Sequence, residues 1–163
     1  MSRSHPPLLL STRWEGDELL VLDGDRVIDR LGAREIQRVI MVCDGSDSPR
    51  DLAFAVVETA AEHLVFPPGS GIAGRVHFER HAFWAQRNCI YWASAARAHM
   101  PRQLRGGVWP LRRHKPGYLR LPLGELAAAI GSWPLEGPQT WEQRKWARIA
   151  ANRSLPPAGR RPP

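Results

Sequence analysis

One short segment near the start of the chain constrains its fold most. Glu18-Leu19-Leu20-Val21-Leu22 is followed by Asp23-Gly24-Asp25 and then by Arg26-Val27-Ile28-Asp29-Arg30. A DG turn between two apolar-rich runs predicts a β-hairpin, because glycine accepts the positive φ of a tight turn without steric cost. Residues 36–43 (IQRVIMVC) predict a third strand, closed by the turn set of residues 44–49. Residues 52–58 and 63–66 predict a second hairpin around residues 59–62, and residues 8–14 offer an additional strand. Five or six short strands in succession imply an antiparallel meander or partial barrel.

The pattern changes at Pro67-Pro68-Gly69-Ser70-Gly71. From residue 72 to about residue 99 there is no proline, and Phe78, Ala82, Ala85, Cys89, Ala93 and Ala96 recur at spacings of three and four. That stripe predicts one long, amphipathic central helix, ended by Pro101. Residues 102–120 read as a basic connector punctuated by Gly and Pro. Residues 123–133 read as a short helix around LAAAI. Thr140 is placed to cap a last helix running to about Arg153, with Gln143 completing a capping box. The expected fold class is therefore α+β, with an N-terminal meander or partial barrel, a long central helix and a basic helical C-terminal region. The expected organisation is a flexible leader (1–7), a sheet plus helix (8–100), a connector and two helices packed on the same domain (101–153), and a disordered Pro/Arg tail (154–163).

The chain's 163 residues suit one domain. Its 43% hydrophobic and 24% charged residues exclude a disordered chain. No stretch approaches the ~18 apolar residues of a membrane-spanning helix. The start, MSRSHPPLLLSTRW, lacks the small-residue cleavage site of a signal peptide. Cys43 and Cys89 have no CxxC partner, so both read as reduced and buried. A cytoplasmic, bacterial protein is the expectation.

Charge is divided unevenly. Residues 1–74 hold seven basic and twelve acidic side chains, whereas residues 75–163 hold sixteen basic and four acidic. The second part would attract phosphates, an anionic lipid surface or an acidic protein. Part of the asymmetry can instead be consumed within the molecule, acidic sheet against basic helices. Only Lys115 and Lys145 among the 23 basic residues are lysines, a bias that a GC-rich genome explains without selection for arginine chemistry.

An acidic start, a DG hairpin, EIQRVIMV, a further hairpin and a helix together resemble the pleckstrin-homology-like split barrels of bacteria. The resemblance spans residues 8–99. It implies a binding module for lipid head groups or protein segments, and it carries over no ligand-binding residue. Such domains place seven strands before their helix, against five or six here, and the basic C-terminal third has no place in that pattern.

Three constellations carry possible chemistry. Gly69, Gly71 and Gly74 form GxGxxG before the expected helix, and Arg75 could join their backbone N–H groups in holding an anion. No acidic residue stands ~20 residues further on, as a dinucleotide site requires. His77 and His81 are four apart, but Glu79 points about 160° away from His81 on a helix, and no third ligand follows, so no metal is expected. The face of His77, His81, Trp84, Asn88 and Tyr91 could instead line a pocket or an interface. No nucleophile motif occurs, and no cofactor is implied.

The third constellation is basic and aromatic: Arg102, Arg105, Trp109, Arg112, Arg113, Lys115 and Arg120 in the connector, then Trp141, Arg144, Lys145 and Arg148 on the last helix. Cations neutralise phosphates and aromatic rings stack on unpaired bases. In soluble domains, though, most tryptophans anchor helices onto sheets. The expectation is a non-enzymatic binding or adaptor module whose basic half engages an acidic protein surface. The alternatives are a nucleic-acid binder without sequence specificity and a small-anion or nucleotide pocket at residues 69–75.

Overall fold

The structure, a computed structural model, describes residues 10–43, 52–94, 101 and 117–154. The DG turn forms its hairpin: β2 (Glu18–Asp23) and β3 (Arg26–Gly32) pair antiparallel outward from Asp23 and Arg26. Gly24 sits there at φ +59°, a left-handed conformation that costs glycine little. β1 (Leu10–Glu15) pairs with the other edge of β2 to complete a three-stranded sheet.

A 3-10 turn, Ala33–Glu35, leads into the second sheet. Its strands are β4 (Arg38–Cys43), β5 (Leu52–Glu58), β6 (Glu62–Phe66), β7 (Ile90–Ser94), β8 (Leu119–Pro122) and β9 (Leu135–Glu136). They lie in the order β8-β6-β5-β4-β7-β9. Every pair is antiparallel except β4 with β7, which runs parallel from Val39↔Ile90 to Cys43↔Ser94. Three helices complete the described chain: α1 (Arg75–Ala85), α2 (Leu123–Ser132) and α3 (Trp141–Ser154).

The central strands are covered on both faces. Val39, Met41 and Cys43 of β4 pack with Ala55, Val57, Leu64, Phe66 and Trp92 against the three-stranded sheet and Phe78 of α1. The alternate residues Ile40 and Val42 pack with Phe54, Val56, Val65 and Ala93 against Leu126 and Ile130 of α2 and against Trp133. Strands buried on both sides read as continuous apolar runs, which is why RVIMVC and LAFAVV show so little polar alternation.

The expected fold class needs correction. There is no long central helix: α1 spans eleven residues, Gln86 leaves it in a left-handed conformation at φ 54°, and residues 90–94 form β7. Ala and Cys at spacings of three and four fit a helix. The same residues also alternate at a spacing of two in Cys89-Ile90-Tyr91-Trp92-Ala93, and the open edge of β4 takes them as a parallel strand. The meander of five or six strands is likewise replaced, by nine strands in two sheets among the described residues. Nor is the C-terminal region simply helical, because β8 and β9 flank α2 and close both edges of the six-stranded sheet. The expected cap of α3 is present: Gln143 N–H donates to Thr140 Oγ1 at 3.1 Å, and Thr140 N–H donates to Gln143 Oε1 at 2.9 Å. Gly137 precedes it at φ +131°, where a Cβ would stand 2.8 Å from the Ile90 carbonyl oxygen. The leader, the turn at residues 44–49, most of the connector and the tail from residue 155 lie outside the described residues.

The two sheets are tied at one end by charge. Arg120 of β8 donates to Asp29 of β3 at 3.1 Å and to Glu62 of β6 at 3.0 Å, and the Tyr118 hydroxyl also donates to Asp29. Leu126 is the central contact of α2 with the sheet and has no exposure. Leu126→Ala should lower stability by about 2–5 kcal/mol in urea unfolding. The exposed Ala128→Ser, two residues on, should change it by less than about 0.5 kcal/mol.

Candidate functional site

The face expected to line a pocket does not exist as one face. His77 and His81 turn inward beneath β1, where the Trp14 ring lies 6.4 and 6.5 Å from theirs. Asn88 lies beyond the end of α1, its side chain accepting from Ile90 N–H. Tyr91 alternates with Ile90 and Trp92 on β7 and so faces the α2 side of the sheet. Trp84 is half-buried against Phe83. The single hydroxyl proton of Thr12 goes to the Ser70 carbonyl at 2.8 Å, so His77 Nε2 must donate to Thr12 at 3.1 Å. Burial lowers His77 to about 4, with the Thr12 contact opposing; burial, then repulsion from Arg87, lowers His81 to about 4.

His81 Nε2 stands 3.5 Å from Cys89 Sγ, the spacing of a nucleophile and base. The electrostatics forbid that use. Burial pushes the Cys89 thiol up while His81 is held neutral, so the pair is a thiol donating to an imidazole rather than a thiolate beside an imidazolium. Among the described residues, no three His, Cys, Asp or Glu side chains converge to hold a metal ion.

In the glycine-rich turn, Gly74 N–H donates to the Gly71 carbonyl at 3.0 Å. Arg75 pairs with Glu79 at 2.5 Å. The cation expected to meet an anion beside Gly69 and Gly71 is thus engaged along the helix.

The described members of the basic and aromatic constellation do not share one surface. Arg102, Arg105, Trp109, Arg112, Arg113 and Lys115 lie outside the described residues, as does the side chain of Arg148. Arg120 is consumed by Asp29 and Glu62. Arg144 is buried, lies 4.6 Å from the Trp92 ring centroid and pairs with Glu136 at 2.8 Å. Trp141 packs edge-on against Phe78. Among the described cations of the set, Arg120 stays exposed within its ion pairs, and Lys145 is exposed 6.0 Å from the exposed Trp146 ring.

Two arrangements escaped the reading of the sequence. The first is on the outer side of α1. Val76 is 60% and Phe83 69% exposed, and Arg80 lies between them on one helical stripe (i, i+4, i+7). Among the described residues no carboxylate pairs with Arg80. Trp146, 60% exposed, adds a third large apolar side chain on α3, whose first turn meets α1 through Trp141 and Phe78. The signal was present as two large apolar residues seven apart. It was hidden because the helix was assigned a different buried stripe, without the strand that covers His77 and His81.

The second is a row of polar side chains on the α2 side of the six-stranded sheet. Arg38, Glu58 and His63 are direct cross-strand neighbours on β4, β5 and β6. Arg38 donates to Glu58 Oε2 at 2.7 Å, and His63 Nε2 lies 3.0 Å from the same oxygen. Burial pushes the Glu58 carboxyl up, but the bonds from Arg38 and His63 outweigh it and hold the group below its ordinary value. Glu58 therefore only accepts, and His63 Nε2 donates to it. The row forms part of the wall of a cleft of about 490 Å3, completed by Leu123, Ala127, Ile130, Gly131, Trp133 and Leu135. Nothing in one strand's sequence announces this row, because register alone brings the three together.

Comparison with family models, with curated proteins and with solved structures finds no match to this chain. Nothing in them bears on the resemblance to pleckstrin-homology-like barrels. Among the described residues no helix is long and apolar enough to cross a membrane.

The buried histidines set a pH dependence. Their folded values lie below the unfolded value of 6.5, so the unfolded chain binds protons first as pH falls. Stability should be full above about pH 6.5 and fall between pH 6.5 and 4, with a combined slope of up to about 2.7 kcal/mol per pH unit. Urea unfolding across that range checks this, and His81→Asn should roughly halve the slope. Cys43 and Cys89, 1% and 6% exposed, should react with a thiol reagent only in denaturant.

Proposed function

We propose that the chain is a binding module that engages an acidic, partly apolar segment of a partner protein through the outer stripe of α1. The carrying observation is Val76, Arg80 and Phe83 in one exposed line, with the cation unpaired between two large apolar side chains. Val76 and Phe83 stand about two helical turns apart on the same stripe, both open to water, so one partner segment can touch both. An apolar contact at each end and a charge contact between them suit a partner segment with a carboxylate flanked by apolar residues. This reading keeps the expected preference for an acidic protein surface and moves it from the connector and last helix to α1. Among the described basic residues, Arg120 and Arg144 are held by carboxylates and so add little to a nucleic-acid surface.

The test is capture of a partner from nuclease-treated lysate by the full chain, compared with Phe83→Ala and Arg80→Glu. Glu125→Arg, an exposed position on α2 and so on the opposite face of the six-stranded sheet, serves as the control. Each of the first two variants should weaken binding about tenfold or more, close to 1.4 kcal/mol, and the control should not. Binding should also weaken as salt rises. Capture unchanged in both variants would remove the reading. Capture abolished by nuclease would favour nucleic acid instead.

A further inference from the structure

The inner side of α1 carries two histidines with nothing around them to receive a positive charge. His77 Nε2 donates to Thr12 Oγ1, and its other ring nitrogen, Nδ1, is closed to solvent without a hydrogen-bond partner. His81, 3% exposed, lies between the Trp14 ring and the Cys89 thiol. Past the end of α1, Arg87 repels a proton on His81, and burial keeps the Cys89 thiol protonated. On β1, Thr12 and Trp14 face the rings and neither titrates, while Arg13 and Glu15 occupy the alternate, exposed positions. The 3-10 turn that packs on α1 brings the exposed Arg34 and Glu35, whose carboxylate accepts from Gly32 N–H at 2.8 Å. From α3 comes Glu142, which acts on Arg75, itself paired with Glu79. Among the described residues no carboxylate bonds to either imidazole.

Protonation of either ring therefore puts a cation where neither water nor an anion meets it. The charge is hydrated only if one of the covers moves, and the covers differ in strength. α1 is fixed to the six-stranded sheet and to α3 by Phe78, stacked on Trp92 at 6.0 Å and edge-on to Trp141. β2 holds four consecutive buried residues, Leu19 to Leu22. β1 holds none: its six residues alternate between half-buried and exposed, and among the described strands it pairs with β2 alone. Thr12 and Trp14 tie it to α1. The Thr12 hydroxyl donates to the Ser70 carbonyl and accepts from His77, and the Trp14 ring lies against both imidazoles.

We infer that β1 is an acid-released strap: protonation of His77 and His81 lifts it from α1 while the six-stranded sheet stays folded. Release bares the edge of β2 that β1 now pairs. Both rings take a proton at about 4 beneath the strap and at 6.5 once hydrated, so protons bind the open state first as pH falls. Opening is favoured between pH 6.5 and pH 4 and is insensitive to pH above that window. From pH 7 to pH 5 each histidine should raise the open-to-closed ratio roughly twentyfold. The device uses the inner side of α1 and does not depend on what the outer stripe binds.

Hydrogen-exchange mass spectrometry of the full chain between pH 7.5 and pH 5, with rates referred to an unstructured peptide at each pH, is the test. Amides of β1 should exchange through an opening of their own, ahead of β4 and β5, and their protection should fall roughly 400-fold from pH 7 to pH 5. His77→Gln, which keeps an N–H for Thr12, and His81→Asn should each remove roughly twentyfold of that fall, and the double variant should be nearly flat. A role in packing alone would change the level of protection in the variants and leave its pH dependence as it was. Equal β1 protection at pH 7 and pH 5, or exchange of β1 only together with β4 and β5, would overturn the inference in the unsubstituted chain, whether or not the variants fold. Full pH dependence in the double variant would do the same.

Discussion

Burial of β4 and β5 on both faces is the constraint on which the rest of the molecule depends. Two central strands without a solvent face need a cover on each side, and this chain builds the two covers differently. One is a sheet with a helix, β1-β2-β3 and α1, joined through Leu19, Val21, Leu31 and Phe78. The other is mainly α2, with Leu126, Ile130 and the following Trp133. A helix of ten residues is about 15 Å long, while six strands at about 4.8 Å spacing make a sheet some 24 Å wide. Among the described residues the second cover is thus smaller than its sheet. Where it ends, the row of apolar side chains gives way to Arg38, Glu58 and His63, and the cleft opens.

The same constraint explains the early end of α1. With β4 central, its second edge needs a strand, and residues 90–94 supply one in parallel register. The chain reaches that edge from β6 only by crossing the face of the sheet, and α1 makes the crossing. Its inner side must then meet both sheets at once. Phe78 meets the six-stranded sheet, while His77 and His81 meet β1, held neutral by the apolar surroundings they enter. The outer side of α1, with Val76, Arg80 and Phe83, is left to solvent.

Charge divides along similar lines. The acidic first part and basic second part of the chain do meet, in Arg120 bridging Asp29 and Glu62, so some of the asymmetry is spent on holding the sheets together. Arg144 is likewise drawn inward onto Trp92 and Glu136. Counting residues along a chain measures charge without its pairing. A basic stretch describes a binding surface only if the fold leaves its cations unanswered.

Local order was legible where one segment holds its own reason for being ordered. The DG hairpin, the strands of residues 52–58 and 63–66, the helix at LAAAI and the Thr140–Gln143 cap all rest on contacts within a few residues, and each appears. The helix stripe from Phe78 to Ala96 failed because small residues at spacings of three and four satisfy more than one periodicity, and only the vacant edge of β4 chose between them. Arg38, Glu58 and His63 were invisible because twenty and five residues of chain separate them, and they become neighbours through strand register alone. Sequence by itself determined where the chain turns, where helices start and which runs avoid water, since these follow from backbone geometry and side-chain polarity at short range. Tertiary structure alone decided which strand filled the centre, which arginines were paired and which polar atoms share a cleft. Those outcomes depend on what lies opposite each residue, and no local stretch of sequence carries that information.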